Sequence, residues 1–384
     1  MKAIFIVQGE GRGHMTQALA MEQILIEAGH EVAQIIIGTS NRRAVPSYFK
    51  NKTQAPIHTV SSPNFFYDKE KKSINLFKTF TFNFLSLPKF FVELRSINKL
   101  VKEHKPDVII NFYDILGGFY FNFFRPKARR ICIAHQYLAE HKEFPFAEGF
   151  PFQKACFKAT NTLTSIGAQK KIALSFRNYT NPSDAISITP PLLRKEVYDL
   201  SPKKGDYILA YVVNSGYAYD LMQWHEHNRK IKLHCFWDNK DQKDEWSPWK
   251  NLTFHHINDQ KFLSYMENCL GYVSTAGFES ICEAMYLGKP VMMVPVENQY
   301  EQACNALDAV KNGAGITSDK FALEIFLNYL STHDDKNRDW FKSWVQSNKH
   351  IILKELEKDS SESIKAPFKF NFSTARIRLL LSRN

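Results

Sequence analysis

Residues 3-7, Ala-Ile-Phe-Ile-Val, run into Gly9-Glu10-Gly11-Arg12-Gly13-His14, and residues 15-28 then carry apolar side chains at helical spacing up to Gly29. A short β-branched run, a glycine-rich loop and an amphipathic helix in that order predict a parallel sheet covered by helices. The alternation continues. Runs at 32-37, 107-112 and 130-134 read as further strands. Thr189-Pro190-Pro191 opens a Pro-rich stretch to 202, followed by Lys203-Lys204-Gly205, which reads as a linker because proline removes backbone donors. A second series follows, with strands at 207-213, 231-236, 252-257, 271-274 and 291-294 and helices near 217-228, 260-268, 278-287 and 300-311. The expectation is an α/β chain of two Rossmann-like domains, 1-195 and 205-330. From about 320 the chain reads as helices at 321-331 and 337-358, the last part (331-358) packing back across the cleft, and a basic tail at 359-384.

The chain of 384 residues has 50 Lys and Arg against 39 Asp and Glu, a formal charge of +11, with 44% hydrophobic and 14% aromatic residues. That balance excludes a fibrous or disordered chain and leaves nucleic acid, an anionic membrane or substrate, and solubility as readings of the charge. The six cysteines form no C-x-x-C pair, so buried reduced thiols in a cytosol are expected rather than a zinc site or disulfide framework. The first apolar run reaches a polar loop too early for a signal-peptide core, and no 18-residue apolar stretch follows. The expected place is the cytoplasm, with contact at the inner face of the membrane left open.

Gly11, Arg12 and Gly13 place flexible backbone at the start of a helix, where free N–H groups and the helix dipole favour negative charge. A dinucleotide fingerprint would need a third glycine where His14 stands, and an acid after the second strand, which instead ends Ile37-Gly38-Thr39-Ser40. Arg42 and Arg43 would suit only a 2′-phosphate. A plain turn with an incidental histidine is the other reading of the loop.

The second domain narrows the choice. Residues 274-284 read Ser-Thr-Ala-Gly-Phe-Glu-Ser-Ile-Cys-Glu-Ala, followed by Gly288-Lys289-Pro290, Val294-Pro295 and Glu301-Gln302-Ala303-Cys304-Asn305. Here the chain resembles the GT-B glycosyltransferases, in particular the bacterial lipid-intermediate N-acetylglucosaminyltransferase of peptidoglycan synthesis and the UDP-glycosyltransferases. The resemblance spans roughly residues 1-315. It implies a GT-B fold of two domains facing a cleft, a nucleotide-sugar donor, in the first place a UDP-sugar, used as substrate with no cofactor, and an acceptor bound by the first domain. Ser274, Thr275, Ala276 and Gly277 lead into a helix from Phe278 and Glu279 whose N-terminus suits a diphosphate. The resemblance implies that Glu283 accepts ribose hydroxyls and that Glu301 and Gln302 contact the donor sugar; a solvated helix face is the alternative for either acid.

Asn214, Ser215 and Gly216 resemble the family's second phosphate loop, with Asn214 replacing a more usual glycine or phenylalanine. His256 and Ile257 close a strand where related enzymes hold the base through backbone groups. Plant and animal relatives carry histidine where this chain has Thr275, so hydroxyls and backbone would take over diphosphate binding. Inverting transfer needs a base for the acceptor hydroxyl, and His14 is the best candidate, with Asp114 at the end of a strand as its carboxylate partner. A helix N-cap is the equal alternative for Asp114. His135 and Gln136 are candidate acceptor contacts. No two aspartates lie two apart, so the D-x-D metal pair is missing from the sequence and no metal is implied.

Residues 64-130 hold 13 Lys and Arg against six acids, a local +7, and Phe77, Phe80, Phe82, Phe84, Phe90 and Phe91 crowd the same stretch. Residues 360-384 add five cations against Glu362. Basic residues among phenylalanines suit an anionic bilayer holding a lipid-linked acceptor, although the same rings also suit a core. Nucleic acid as partner has no helix-turn-helix, zinc-finger or RNP signature in its favour. A non-transferase of the same fold, such as a UDP-sugar 2-epimerase, is the remaining enzyme reading.

Overall fold

The computed structural model describes residues 1–40, 45–63, 85–212, 215–239, 241–333 and 338–358. The chain forms two compact units. Unit 1 takes Met1–Phe144, Phe150–Leu192 and the described residues from Ser347 onward, and unit 2 takes Pro145–Gly149 and Leu193–Gln346.

Unit 1 is built on seven parallel strands, β1 (Lys2–Gln8), β2 (Glu31–Thr39), β3 (Ile57–Ser61), β4 (Val108–Phe112), β5 (Arg129–Ala134), β6 (Lys170–Leu174) and β7 (Ile186–Thr189), in the order β3-β2-β1-β4-β5-β6-β7. The five central residues of β1 and all of β4 are buried, as a parallel sheet covered on both faces requires. Its helices are α1 (Arg12–Glu27), α2 (Ser47–Lys52), α3 (Leu87–His104), α4 (Ile115–Phe124), α5 (Pro151–Ser165) and α12 (Asn348–Glu357). Met15, Ala18, Met21 and Leu25 form the buried stripe of α1, and Phe90, Leu94, Ile97 and Val101 that of α3, each at helical spacing. Helix α12 docks on β7. Asn348 Nδ2 donates to the carbonyls of Pro190 and Pro191, and the Lys170 ammonium lies 3.3 Å from the Glu355 carboxylate.

Unit 2 repeats the plan with β8 (Tyr207–Val212), β9 (Lys232–Trp237), β10 (Trp246–Trp249), β11 (Leu252–His256), β12 (Gly271–Ser274), β13 (Val291–Met293) and β14 (Gly315–Thr317), ordered β10-β11-β9-β8-β12-β13-β14. Among the described residues, only the edge strand β10 of this sheet runs antiparallel, to β11. The helices are α6 (Ser215–His227), α7 (Asp259–Asn268), α8 (Phe278–Tyr286), α9 (Tyr300–Lys311), α10 (Glu324–Thr332) and α11 (Arg338–Gln346). One core cluster joins Ile208, Val212, Leu221, Trp237, Phe254, Val273, Met292 and Phe326 across the sheet. In both units the connection direction reverses at the sheet centre, between β1 and β4 and between β8 and β12. In open α/β sheets ligands bind at such points, outside the strand carboxyl ends.

Three readings of the sequence change. The Pro-rich stretch does hold the boundary between the units, at Leu192 and Leu193, but it is packed: both leucines are buried, and Thr189 ends a strand. Expected helix 337-358 is two helices meeting at Ser347. Strands β3, β6, β7, β10 and β14 were not expected. All six cysteines are free, and five are buried. Among the described residues no helix is long and apolar enough to cross a membrane. Arg42, Arg43, Asn214, residues 64–84 with Phe77, Phe80, Phe82 and Phe84, and the tail from 359 lie outside the described residues.

Candidate functional site

At the reversal point of unit 1, β1 ends at Gln8 and the loop Gly9–Gly11 turns into α1. The Gly9 N–H donates to the Gly38 carbonyl at 2.8 Å, and a Cβ on Gly9 would sit 2.8 Å from that oxygen, so only glycine fits this close pass. Glu10 accepts the Ser40 N–H at 2.9 Å, tying the loop to the end of β2. Gly11 is the N-cap of α1 with no side-chain cap and no acid in the first turn. Arg12 lies over the Tyr48 ring at 4.9 Å, and Gly13 falls in the same first turn.

His14, 8% exposed, stacks on Tyr113 with ring centroids 5.2 Å apart. Its Nδ1 pairs with Gln17 Oε1 at 3.2 Å, three residues along the helix. With the Gln17 oxygen as acceptor, the proton sits on Nδ1 and the Nε2 lone pair is left open. Burial holds the imidazole down to about 4, against a smaller upward pull from Gln17, so it is neutral at pH 7.

The hydrogen bond expected between His14 and Asp114 is absent. Asp114 takes the alternative role of N-cap of α4: its Oδ1 accepts from Gly117 N at 3.1 Å and from Ser62 Oγ at 3.0 Å. Burial raises its carboxyl to about 6, outweighing the Ser62, Gly117 and Leu116 hydrogen bonds. Asn111 braces the same turn, accepting Asp114 N at 3.0 Å and donating to the Asp114 carbonyl at 2.9 Å. That bracing holds Tyr113 at φ +60°, a costly value for a tyrosine, with its hydroxyl on Asn161 at 2.5 Å. Gln17 and Tyr113, not the carboxylate, fix the His14 ring. Sequence spacing gives Gln17 as an i+3 neighbour; nothing in it announces the Tyr113 backbone.

His135 and Gln136 follow β5 in a 3-10 turn, but are 2% and 5% exposed. His135 Nδ1 pairs with the Leu174 carbonyl at 2.8 Å and its ring meets Phe144 and Phe176. Both are interior residues in this structure.

At the reversal point of unit 2, Ser274, Thr275 and Ala276 are buried, whereas Gly277, the N-cap of α8, is exposed. A Cβ on Gly277 would meet nothing within 4 Å, and no side chain caps the helix. The first turn, Phe278 and Glu279, therefore stands behind an open glycine. Asn305 supports the loop from α9, donating to the Ala276 carbonyl at 3.2 Å. Gly216 lies in the first turn of α6, which Ser215 begins. Glu301 is in the first turn of α9, and Gln302 Oε1 accepts the Val296 N–H at 2.9 Å. At the end of β11 the His256 N–H is taken by Asp244 at 2.9 Å and its Nε2 pairs with the Gln242 carbonyl, while Ile257 is half-buried.

Glu283 lies on α8 with only 1% of its surface exposed. It is not a solvated face: Arg194, from the stretch read as a linker, gives Nε to Oε1 at 2.5 Å and Nη2 to Oε2 at 2.7 Å. Burial opposes the guanidinium charge, but Glu283 and then Asp259 hold Arg194 above its ordinary range. Sequence reasoning missed Arg194 because its partner is 89 residues away.

Two parallel-sheet units of Rossmann type, each with a glycine loop and a helix start at its reversal point, define the GT-B class of glycosyltransferase fold. Solved structures agree. Over 93% of this chain and 98% of its own, the glycotransferase of kitacinnamycin superposes with a TM-score of 0.62 at 14% identity. MurG of Acinetobacter baumannii gives 0.55 at 16% identity, covering 94% and 100% of the two chains. UGT89C1 of Arabidopsis thaliana, complexed with UDP-L-rhamnose, gives 0.59 at 13%, covering 92% and 97%. The sequence pattern of glycosyl transferase family 1 matches residues 1–331, and the chain belongs to that family. An uncharacterized glycosyltransferase of Methanosarcina acetivorans is 23% identical over 331 residues, 80% of either chain.

Proposed function

We propose that the protein transfers a sugar from a nucleoside diphosphate donor, in the first place a UDP-sugar, to an acceptor hydroxyl with inversion and without a metal. The observation that carries this reading is the open N-cap at Gly277: α8 begins there without a side-chain cap at the reversal point of unit 2, nothing lies within 4 Å of a Cβ at that glycine, and a helix start offers backbone N–H groups to an anion. These groups and the Thr275 hydroxyl would stabilise the leaving diphosphate. Glu283 would accept the ribose hydroxyls, and Glu301 with Gln302 would face the donor sugar. His14 would take the acceptor proton on Nε2, oriented by its Nδ1 bond to Gln17.

Family membership favours a transferase over a 2-epimerase. The experiment is a panel of UDP-, GDP-, ADP- and CDP-sugars in a thermal-shift assay, since a true donor stabilises the fold by mass action. Released nucleoside diphosphate is then measured with and without candidate acceptors, in the presence of chelator. A UDP-sugar should stabilise the chain and give acceptor-dependent UDP release that chelator leaves intact. No stabilisation by any donor, or chelator-sensitive release, refutes the corresponding part.

For the acceptor side we infer a lipid-linked substrate at an anionic membrane face, in the cytoplasm. The support is α3 and the residue two before it: Leu85 and Val92 are 78% and 63% exposed, and Lys89, Arg95, Lys99 and Lys102 are exposed with them. Co-sedimentation with vesicles containing anionic lipid, but not with neutral ones, is the expected result; no binding at low salt refutes it.

A further inference from the structure

Arg194 has no part in the reading above, yet it is the best-anchored charged side chain around Glu283. It approaches side-on, through Nε and Nη2, and binds one carboxylate oxygen with each. Its third nitrogen, Nη1, lies 3.8 Å from Asp259 Oδ2, in the first turn of α7. The side chains of Arg194 and Asp259 are each 16% exposed, and that of Glu283 2%. A planar fork on both oxygens fixes the plane of a carboxylate, which a single-point donor does not. The carboxylate has about four acceptor positions, and the fork uses the two on the side facing Arg194, so one remains on each oxygen, in a fixed direction, and a ribose hydroxyl can take one of them.

We propose that Arg194 is a positioning residue that aims Glu283 and so sets the preference for a ribose 2′-hydroxyl on the donor nucleotide. The proposal rests on the assignment of Glu283 to the ribose. Asp259 acts from behind, holding the guanidinium so that the fork keeps one orientation. Lysine at 194 preserves the charge and loses the fork, and asparagine at 259 leaves the buried pair whole while releasing its far anchor.

The test measures calorimetric Kd values of the full chain for UDP, GDP, ADP and CDP, then for the 2′-deoxy form of whichever binds tightest. Wild type should prefer the ribose form about tenfold to a hundredfold, the scale of hydrogen bonds to a charged group. Glu283→Gln should bring the ratio near one. Arg194→Lys should cut it to about threefold or less with the deoxy affinity unchanged, and Asp259→Asn should lower it part of the way. A purely structural role for Arg194 weakens both forms equally and leaves the ratio alone. If wild type binds no nucleotide, shows no preference, or keeps it in Glu283→Gln, the ribose assignment itself falls and this proposal with it. If Glu283→Gln abolishes the preference while folded Arg194→Lys and Asp259→Asn retain it, the role of Arg194 alone is refuted. Should Arg194→Lys fail to fold, the Asp259→Asn ratio decides.

Discussion

The burial of His14 makes a prediction about the pH dependence of turnover. Its imidazole is held at about 4 instead of 6.5, burial outweighing the Gln17 bond. That gap of about 2.5 units corresponds to about 3 kcal/mol between the two protonation states. If His14 Nε2 is the base, the acid limb of kcat/KM reports the titration of the free enzyme. At pH 5 a histidine titrating at 6.5 is about 3% neutral, and one titrating at 4 about 90%, a contrast of about 30-fold. The profile should therefore stay flat from pH 8 to about 5 and bend only near 4. Initial rates of nucleotide release at low substrate, with circular dichroism at each pH to confirm folding, measure it. His14→Gln should lower the rate at every pH. An acid limb centred at 6.5, or full activity in His14→Gln, refutes the argument. The same shift has a stability consequence: His14 prefers the neutral form when folded, so about 3 kcal/mol of stability is present above pH 6.5 and is lost as pH falls toward 4.

Asp114 works in the opposite sense. Its carboxyl, raised to about 6 by burial, costs stability as pH rises from the ordinary carboxylate range through 6. Asp114→Asn keeps an acceptor for Gly117 and Ser62, and urea unfolding at pH 7 should show up to about 3 kcal/mol of relief relative to pH 4; an unchanged pH slope would count against it. Gly38→Ala should cost about 1–3 kcal/mol, because its Cβ would lie 2.0 Å from Asp114 Oδ2 and 2.7 Å from Ser62 Cβ. Gly277→Val should cost about 1 kcal/mol of stability through the weaker N-cap while weakening nucleotide binding by about tenfold or more; equal affinity would remove the α8 N-terminus from the donor site.

The two strand–glycine–helix units at Gly9–His14 and Ser274–Phe278 were legible because apolar runs, glycine and helical spacing all agreed there. Strand β3 was not: Ile57–Ser61 is an edge strand with one fully buried residue, too little to give a periodic signal. Of helix α4 the sequence offers only the cap, Asp114, for another reason. Gly117 and Gly118 argue against a helix, yet a Cβ at either would meet Asn111 Oδ1 at 2.6 Å or the Leu163 carbonyl at 2.1 Å, so close packing demands them. At the candidate site, residue types were readable but pairings were not. The chemistry of imidazole points to His14 and a strand end to Asp114, whereas the local competition for hydrogen bonds gives Gln17 to one and the α4 cap to the other. The Arg194–Glu283 pair is a product of tertiary folding, beyond any spacing rule.

The division of the chain has a consequence for its synthesis. Unit 2 is largely an insertion in unit 1, whose last helix among the described residues, α12, caps β7 and puts its Leu356 carbonyl 2.9 Å from Arg129 Nη1. At about 5–20 residues per second a ribosome spends on the order of 10–30 seconds on residues 193–346 before α12 is made. Throughout that interval β7 and the Pro190–Pro191 carbonyls wait uncovered on the nascent chain. Unit 2, complete on release of Gln346, is then the first of the two that can finish folding, although it is begun second.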